Sequence, residues 1–121
     1  MKRRARSQPV EVQPDLPWPF ADGRFPADLG AVIQRTVLDG TMPARNVLHS
    51  EDNHWLVGDG VNDPNVSDGC VVAHMSHVVQ SNSSVDALAD LPPGFEAVRN
   101  DPGQPWLRRR LVWLEEDEEF A

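Results

Sequence analysis

A chain of 121 residues with 40% hydrophobic and 25% charged side chains is long enough for one domain with its own core, without disulfide or metal support. Its net charge of −8 argues against a nucleic-acid binder, because phosphate contacts need a clustered basic face. One cysteine excludes an intrachain disulfide, and no apolar run reaches the roughly 20 residues of a membrane span or the roughly 7–15 of a signal peptide's apolar region. We therefore expect a cytoplasmic protein with no membrane partner.

Both ends of the chain differ in composition from its middle. Residues 1–24 are rich in proline, which favours an extended backbone, so we predict an N-terminal arm. Within this arm Trp18 and Phe20 are too apolar to remain in water, and we expect them to pack on the domain; anchoring a partner is the alternative. Residues 115–121 form an acidic tail, which is either solvated or a patch for a basic partner. The folded domain is predicted over residues 25–114.

The first part of the domain is predicted to be an antiparallel β-meander. Its first segment is rich in β-branched residues and ends at Asp39-Gly40, a dipeptide that suits a tight hairpin turn. A second turn is expected at residues 51–53. A helix over residues 28–37 is the alternative for the first strand. The predicted strands are Gly30–Leu38, Ala44–His49 and His54–Val57.

The second part alternates polar turns with short apolar elements. Residues 58–69 form a polar loop, and Cys70–Ala73 is predicted to be a buried strand. A short helix is expected over Ser76–Gln80. A second helix, capped by Ser83 or Ser84, would end before Pro92 and bury one apolar face. The buried residues of this second helix would be Val85, Leu88 and Ala89.

After Pro92-Pro93-Gly94 the chain is predicted to enter a strand over Phe95–Arg99, whereas residues 106–114 suit either a strand or a helix. Alternation along this strand turns Arg99 inward with Phe95 and Ala97, or leaves it at the strand end, where its guanidinium can reach solvent or an acid. A buried arginine would then need a carboxylate. The polar loop offers Asp59, Asp63 and Asp68 for that purpose. The whole pattern predicts a small single α+β domain with an antiparallel meander and one or two short helices.

Catalytic signatures are weak. His74 and His77 are spaced to share a helix face, but nothing pairs with them to complete a closed metal site. Cys70 lies in an apolar run, where burial would keep its thiol protonated. The loop that begins at Asp59 does not have calcium-loop spacing, and the sequence contains neither a Gly-x-Ser-x-Gly elbow nor a phosphate-binding glycine loop. We expect no enzyme, metal or cofactor; the alternative is a small metal-dependent enzyme or hydrolase that uses His74, His77 and Cys70.

Residues 29–106 resemble a bacterial family of small α+β proteins, a domain of unknown function assigned to the immunity proteins of polymorphic toxin systems. The motifs that carry the resemblance read HWLVGDGVNDPN, then VVAHMSHVVQSNSSVDALADLPPGFEAVR, then PW. In the family further acids often follow the Gly-Asp pair, whereas Val61, Asn62 and Pro64 intervene here. The resemblance implies inhibition of a cognate toxin by binding, and a protein partner rather than nucleic acid. The candidate binding residues are Trp55, Asp59, Asn62, Asp63, Arg99 and Trp106.

Overall fold

A computed structural model of the protein describes residues 12–14 and 16–111. Within them the protein is a small single α+β domain, as predicted, built from six strands and a few short helices. The acidic tail, Trp113 and the basic residues at the start of the chain lie outside the described residues. The described residues contain no helix long and apolar enough to cross a membrane. The elements are β1 (Gly30–Gln34), α1 (Arg35–Leu38), β2 (Asn46–His49), β3 (Trp55–Gly58), β4 (Cys70–His74), α2 (Met75–Ser81), a 3₁₀ helix (Ser83–Asp90), β5 (Phe95–Val98) and β6 (Leu107–Arg110).

The six strands form one mixed sheet in the order β4-β1-β3-β2-β5-β6. Strand β1 runs parallel to β3 and antiparallel to β4, so the prediction of an antiparallel meander is only partly right. The expected hairpin between β1 and β2 is absent from this sheet, whereas the hairpin between β2 and β3 is present. Strand β6 resolves the choice that the sequence left open for residues 107–110.

The predicted first strand fails because the chain turns into α1 after Gln34. A strand continued to Leu38 would place Arg35 on the same face as the buried Ile33 and Val37. The helical turn instead leaves Arg35 exposed while Val37 reaches the core. The Asp39-Gly40 pair then ends this helix, with the amide of Asp39 bonded to the carbonyl of Arg35, rather than forming a hairpin turn.

The helices cover one face of the sheet and enclose the core. Strand residues at alternate positions point into it, among them Ile33, Val57 and Ala97, and α2 adds Met75 and Val78. The buried face predicted for the second helix is confirmed, although the element is a 3₁₀ helix. The predicted serine cap is wrong, because the N-cap position is Asn82 and neither its side chain nor that of Ser83 or Ser84 caps this helix. The buried members of its face are Val85, Leu88 and Ala89.

Among the residues that the structure describes, the side chains on the opposite face of the sheet are less buried. Strand β4 lies at the edge of the sheet, so it is only half-buried rather than the buried strand that its apolar sequence predicts. Val72, in the middle of β4, is 54% exposed for this reason.

The N-terminal arm packs on the helix-covered side, which confirms the expected burial of its aromatic residues. The indole of Trp18 donates to the carbonyl of Ala89 at 3.0 Å. Phe20 stacks on Trp55 with ring centroids 6.1 Å apart. Residues 12–14 add a short parallel bridge beside Leu29. Phe20 therefore joins the domain's core, and Trp18 anchors the arm against it.

We expect the substitution Gly94→Val to lower the free energy of unfolding by about 1–3 kcal/mol, because Gly94 has a φ of 87° that a β-branched residue rarely adopts. An added Cβ would also lie 3.3 Å from Cγ of Glu51. Thermal melts measure the change. The matched control is Gly103→Val, at a loop position where an added Cβ meets nothing within 4 Å. Equal melting temperatures for the two variants would contradict this account of the turn.

Candidate functional site

The candidate site lies at one end of the sheet, where two loops meet. Strand β2 begins at Asn46, which is paired with the last residue of β3, Gly58, and the last residue of β5, Val98. This antiparallel register brings the β3–β4 loop (residues 59–69) and the β5–β6 loop (residues 99–106) to the start of β2. Most of the predicted binding residues lie on these two loops.

Asp59 is fully buried at the start of the β3–β4 loop. Its carboxylate accepts hydrogen bonds from the hydroxyl of Thr36 at 2.5 Å, from the amide nitrogens of Val61 and Asn62 at 2.8 Å, and from the Asn62 side chain at 2.9 Å. Burial by itself would raise the pKa of Asp59, but these four hydrogen bonds outweigh it and lower the pKa from 3.8 to about 2. The carboxylate is therefore charged at neutral pH and fixes the first turn of the loop.

Gln34 ties the same loop to β1. Its side-chain oxygen accepts from the amide of Asp59 at 2.8 Å, and its side-chain nitrogen donates to the carbonyl of Asn62 at 3.1 Å. Gln34 is itself buried. Asn62 is therefore held at its backbone and at its side chain, and Asp63 beyond it is exposed, with its carboxylate bonded to the amide of Asn65.

Two valines of the β3–β4 loop point into solvent. Val61 is 65% exposed and Val66 is 56% exposed. Both belong to a loop whose turns are closed by its own Asp side chains and backbone groups. The loop thus combines a fixed backbone with exposed apolar side chains.

Arg45 joins the two loops. Its Nε donates to the carbonyl of Asn100 at 2.9 Å, and one terminal nitrogen donates to the carbonyl of Asp59 at 3.0 Å. Sequence reasoning missed this residue because an arginine at the start of a strand carries no signal of its own. Only the pairing of β2 between β3 and β5 places it between the loops.

Arg99 points inward, as alternation allowed, and is only 8% exposed. Its guanidinium donates to the carbonyl of Ala44, to the hydroxyl of Ser84 and to the carbonyl of Pro102. The expected carboxylate partner from the β3–β4 loop is wrong: neutral oxygens satisfy the donors instead. Burial lowers the pKa of Arg99, and the nearby positive charge of Arg45 lowers it further.

Of the two candidate tryptophans, Trp106 packs against Arg99 at the site, whereas Trp55 lies in the core. Trp106 lies under the guanidinium of Arg99, whose central carbon is 3.9 Å from its ring centroid, and its indole donates to the carbonyl of Ser84. Trp55 is buried in the core and stacks on His49 at 3.8 Å. Its side chain therefore does not reach the surface of the site.

Only two of the three residues of the alternative metal site are neighbours, and Cys70 lies apart from them. The rings of His74 and His77 have centroids 5.8 Å apart. Cys70 and His74 are the two ends of β4, which places their backbones about 13 Å apart in an extended strand. Across residues 12–14 and 16–111, no three His, Cys, Asp or Glu side chains are grouped so that they could hold a metal ion.

A pocket of about 860 Å³ opens between the two loops. Three of its lining residues are arginines, namely Arg45, Arg99 and Arg109, and no acidic residue among those that the structure describes lines it. Apolar side chains such as Val61 and Leu107 form other parts of its wall.

Comparisons with protein-family models, with curated proteins and with solved structures give no match to this chain. The resemblance to immunity proteins therefore depends on the sequence motifs alone.

The variant Asp59→Asn should have a lower free energy of unfolding than the wild type at neutral pH. On acidification its free energy of unfolding should fall by less than that of the wild type. A carboxyl whose folded pKa lies below its unfolded value stabilises the fold above pH 4, and this contribution disappears as the pH falls from about 4 to about 2. It corresponds to roughly 2 kcal/mol. Chemical denaturation across this pH range measures the difference. Asp63→Asn is the control, and an identical pH profile for Asp59→Asn and the wild type would contradict the role of Asp59.

We expect both Arg99→Ala and Arg99→Lys to lower the free energy of unfolding by about 2–3 kcal/mol, since each removes the guanidinium donors from the buried carbonyl of Ala44 and from two partly buried oxygens. Lysine retains the charge but cannot reach the three acceptors that the planar guanidinium reaches. Denaturant titrations measure the loss. Arg110→Lys, on an exposed strand position, is the control; wild-type stability in the Arg99→Lys variant would show that charge alone suffices.

Proposed function

We propose that this protein is a non-enzymatic protein-binding domain, and that its role is that of an immunity protein which neutralises a cognate bacterial toxin in the cytoplasm. The observation that carries the proposal is the β3–β4 loop, which exposes Val61 and Val66 on a hydrogen-bonded backbone. The buried carboxylate of Asp59 fixes its first turn, and the amide of Gly69 closes a later turn on the carbonyl of Val66.

A fixed loop with exposed apolar side chains suits binding because ordering a loop on association costs free energy. A loop that is already ordered avoids that cost, so more of the contact energy contributes to affinity. Loops held by a rigid scaffold are also the common place for recognition residues. The valines would supply the apolar contact, while Asn62 and Asp63 would supply polar contacts around it.

The chemistry of Asp59 supports binding over catalysis. Its two oxygens already accept four hydrogen bonds from the protein. Its pKa of about 2 is far from neutral pH, whereas an efficient general acid or base has a pKa near the working pH. The most perturbed carboxyl of the site therefore acts as a structural anchor.

The charge of the chain supports a basic partner. A net charge of −8 favours association with a protein whose surface is positive, and toxins that act on nucleic acids need such surfaces. Asp63 and Asp68 are exposed on the same loop as the valines. The resemblance over residues 29–106 gives this partner its class, a toxin.

The test is binding to the proteins encoded beside this chain, by calorimetry, together with protection of cells that express the bound protein. We expect Val66→Glu to weaken binding by about tenfold or more, because it places a charge in a desolvated contact. Val72→Glu is the matched control, since Val72 has a similar exposure of 54% but lies on β4. If Val72→Glu weakens partner binding and Val66→Glu does not, the interface lies on β4 and not on the loop. Failure of every neighbouring product to bind would contradict the immunity role.

Elemental analysis of the purified protein separates the proposal from a metal-dependent enzyme that uses His74, His77 and Cys70. Stoichiometric transition metal, lost when His74 and His77 are replaced by alanine, would contradict the proposal.

A further inference from the structure

The pocket between the two loops has an electrostatic character opposite to that of the chain. The described residues carry a net negative charge, yet those that line this pocket include Arg45, Arg99 and Arg109 and no aspartate or glutamate. The described ion pairs join Arg109 to Glu96 at 2.6 Å and Arg108 to Asp90 at 2.7 Å. Neither Arg45 nor Arg99 takes part in such a pair, so two positive charges at the pocket have no carboxylate among the described residues.

Arg45 is held in place by carbonyl groups and retains donors. A guanidinium has five N–H groups, and Arg45 uses one at Nε and one at a terminal nitrogen for the carbonyls of Asn100 and Asp59. No described residue accepts from its other terminal nitrogen. The side chain is thus oriented by neutral oxygens, and its remaining donors are available to a ligand in the pocket that it lines.

The proximity of Arg45 and Arg99 favours the binding of an anion in the pocket. Like charges at close range raise each other's free energy, which is the reason that Arg45 lowers the pKa of Arg99. A carboxylate near both would relieve this repulsion and form charge-assisted hydrogen bonds with the guanidinium of Arg45. Gln104 adds an amide to the same wall, with its oxygen already bonded to the amide of Asp101.

The rest of the wall favours a peptide over a small inorganic ion. Val61, Val98 and Leu107 line the pocket beside the charged groups, and Leu107 is 59% exposed. A volume of about 860 Å³ is also far larger than a single phosphate needs. The apolar wall and the arginines at its end together suit a peptide segment that carries an acidic side chain.

We propose that this pocket binds an acidic, extended segment of the partner protein, with a glutamate or aspartate carboxylate placed against Arg45. This assignment rests on the proposed protein-binding function and adds the chemistry that one part of the partner presents.

The test is calorimetric titration of the full-length protein with a blocked peptide of alternating serine and glutamate. Glutamine replaces every glutamate in the control peptide, and inorganic phosphate is a third probe. We expect the acidic peptide to bind, its affinity to fall as salt is raised, and the neutral peptide to show no binding. Equal affinity for the neutral peptide, or binding of phosphate without binding of the peptide, would overturn the assignment.

Matched variants place the binding in the pocket. Arg45→Gln should weaken binding of the acidic peptide by about tenfold or more. The matched control is Arg35→Gln, since Arg35 is another arginine whose Nε donates to a loop carbonyl, and it should leave the affinity unchanged. Because Arg45 also ties two loops, the exposed position Val61 supplies a second test. Val61→Glu introduces a carboxylate into the same pocket wall as Arg45 and should weaken peptide binding as much as Arg45→Gln does. Val66→Glu lies outside the pocket and should leave the peptide affinity unchanged. Unchanged affinity in Val61→Glu would overturn the assignment.

The acidic tail of the chain is a rival source of the same chemistry. Replacing Glu115, Glu116, Glu118 and Glu119 by glutamine should leave peptide affinity unchanged if the pocket serves a partner. A rise of about tenfold would show that the tail fills the pocket, and would overturn the assignment to a partner. Peptide binding without capture of any neighbouring gene product would contradict the proposed function alone, whereas capture without peptide binding would overturn the pocket assignment alone.

Discussion

The buried carboxylate of Asp59 is the interaction on which the functional end of the molecule depends. Removing a charge from water is costly, and a buried carboxylate is tolerated only when hydrogen bonds replace its hydration. Asp59 obtains these bonds from α1 and from its own loop, through Thr36, Val61 and Asn62. One group therefore holds together the end of β3, the first helix and the loop that follows.

Arg45 and Arg99 hold the other side of the same region in a complementary way. Arg45 bonds to the carbonyl of Asp59 rather than to its carboxylate, and Arg99 bonds to neutral oxygens. The region therefore contains buried or half-buried charges of both signs that are not paired with one another. Rigid loops with unneutralised positive charge between them are a consequence of this arrangement, and they are the physical basis of the proposed binding site.

Local signals in the sequence were sufficient for much of the fold. The turn at residues 51–53, the apolar face of Val85, Leu88 and Ala89, and the turn at Gly94 each follow from residues close together in the chain. The parallel pairing of β1 with β3 does not, because Asp39-Gly40 suits a hairpin turn and a helix end equally well. The choice between them is made by long-range packing, which buries Val37 and leaves Arg35 in solvent.

The candidate site shows the same division. Asp59, Asn62 and Asp63 could be selected from the loop sequence, yet the sequence did not indicate that Asp59 is buried or that Arg99 takes neutral partners. Trp55 is a large aromatic residue that suits a core and an interface alike, and it lies in the core. Arg45 was missed because its role depends on the order of strands.

Hydrogen exchange at the amides of Val61 and Asn62 tests the central claim most directly. Both amides donate to the carboxylate of Asp59, so they should exchange slowly in the wild type although the loop is at the surface. In Asp59→Ala their protection should be lost, while the amide of Leu48 in the middle of the sheet stays protected. Fast exchange of Val61 and Asn62 in the wild type, or unchanged protection in Asp59→Ala, would contradict the account.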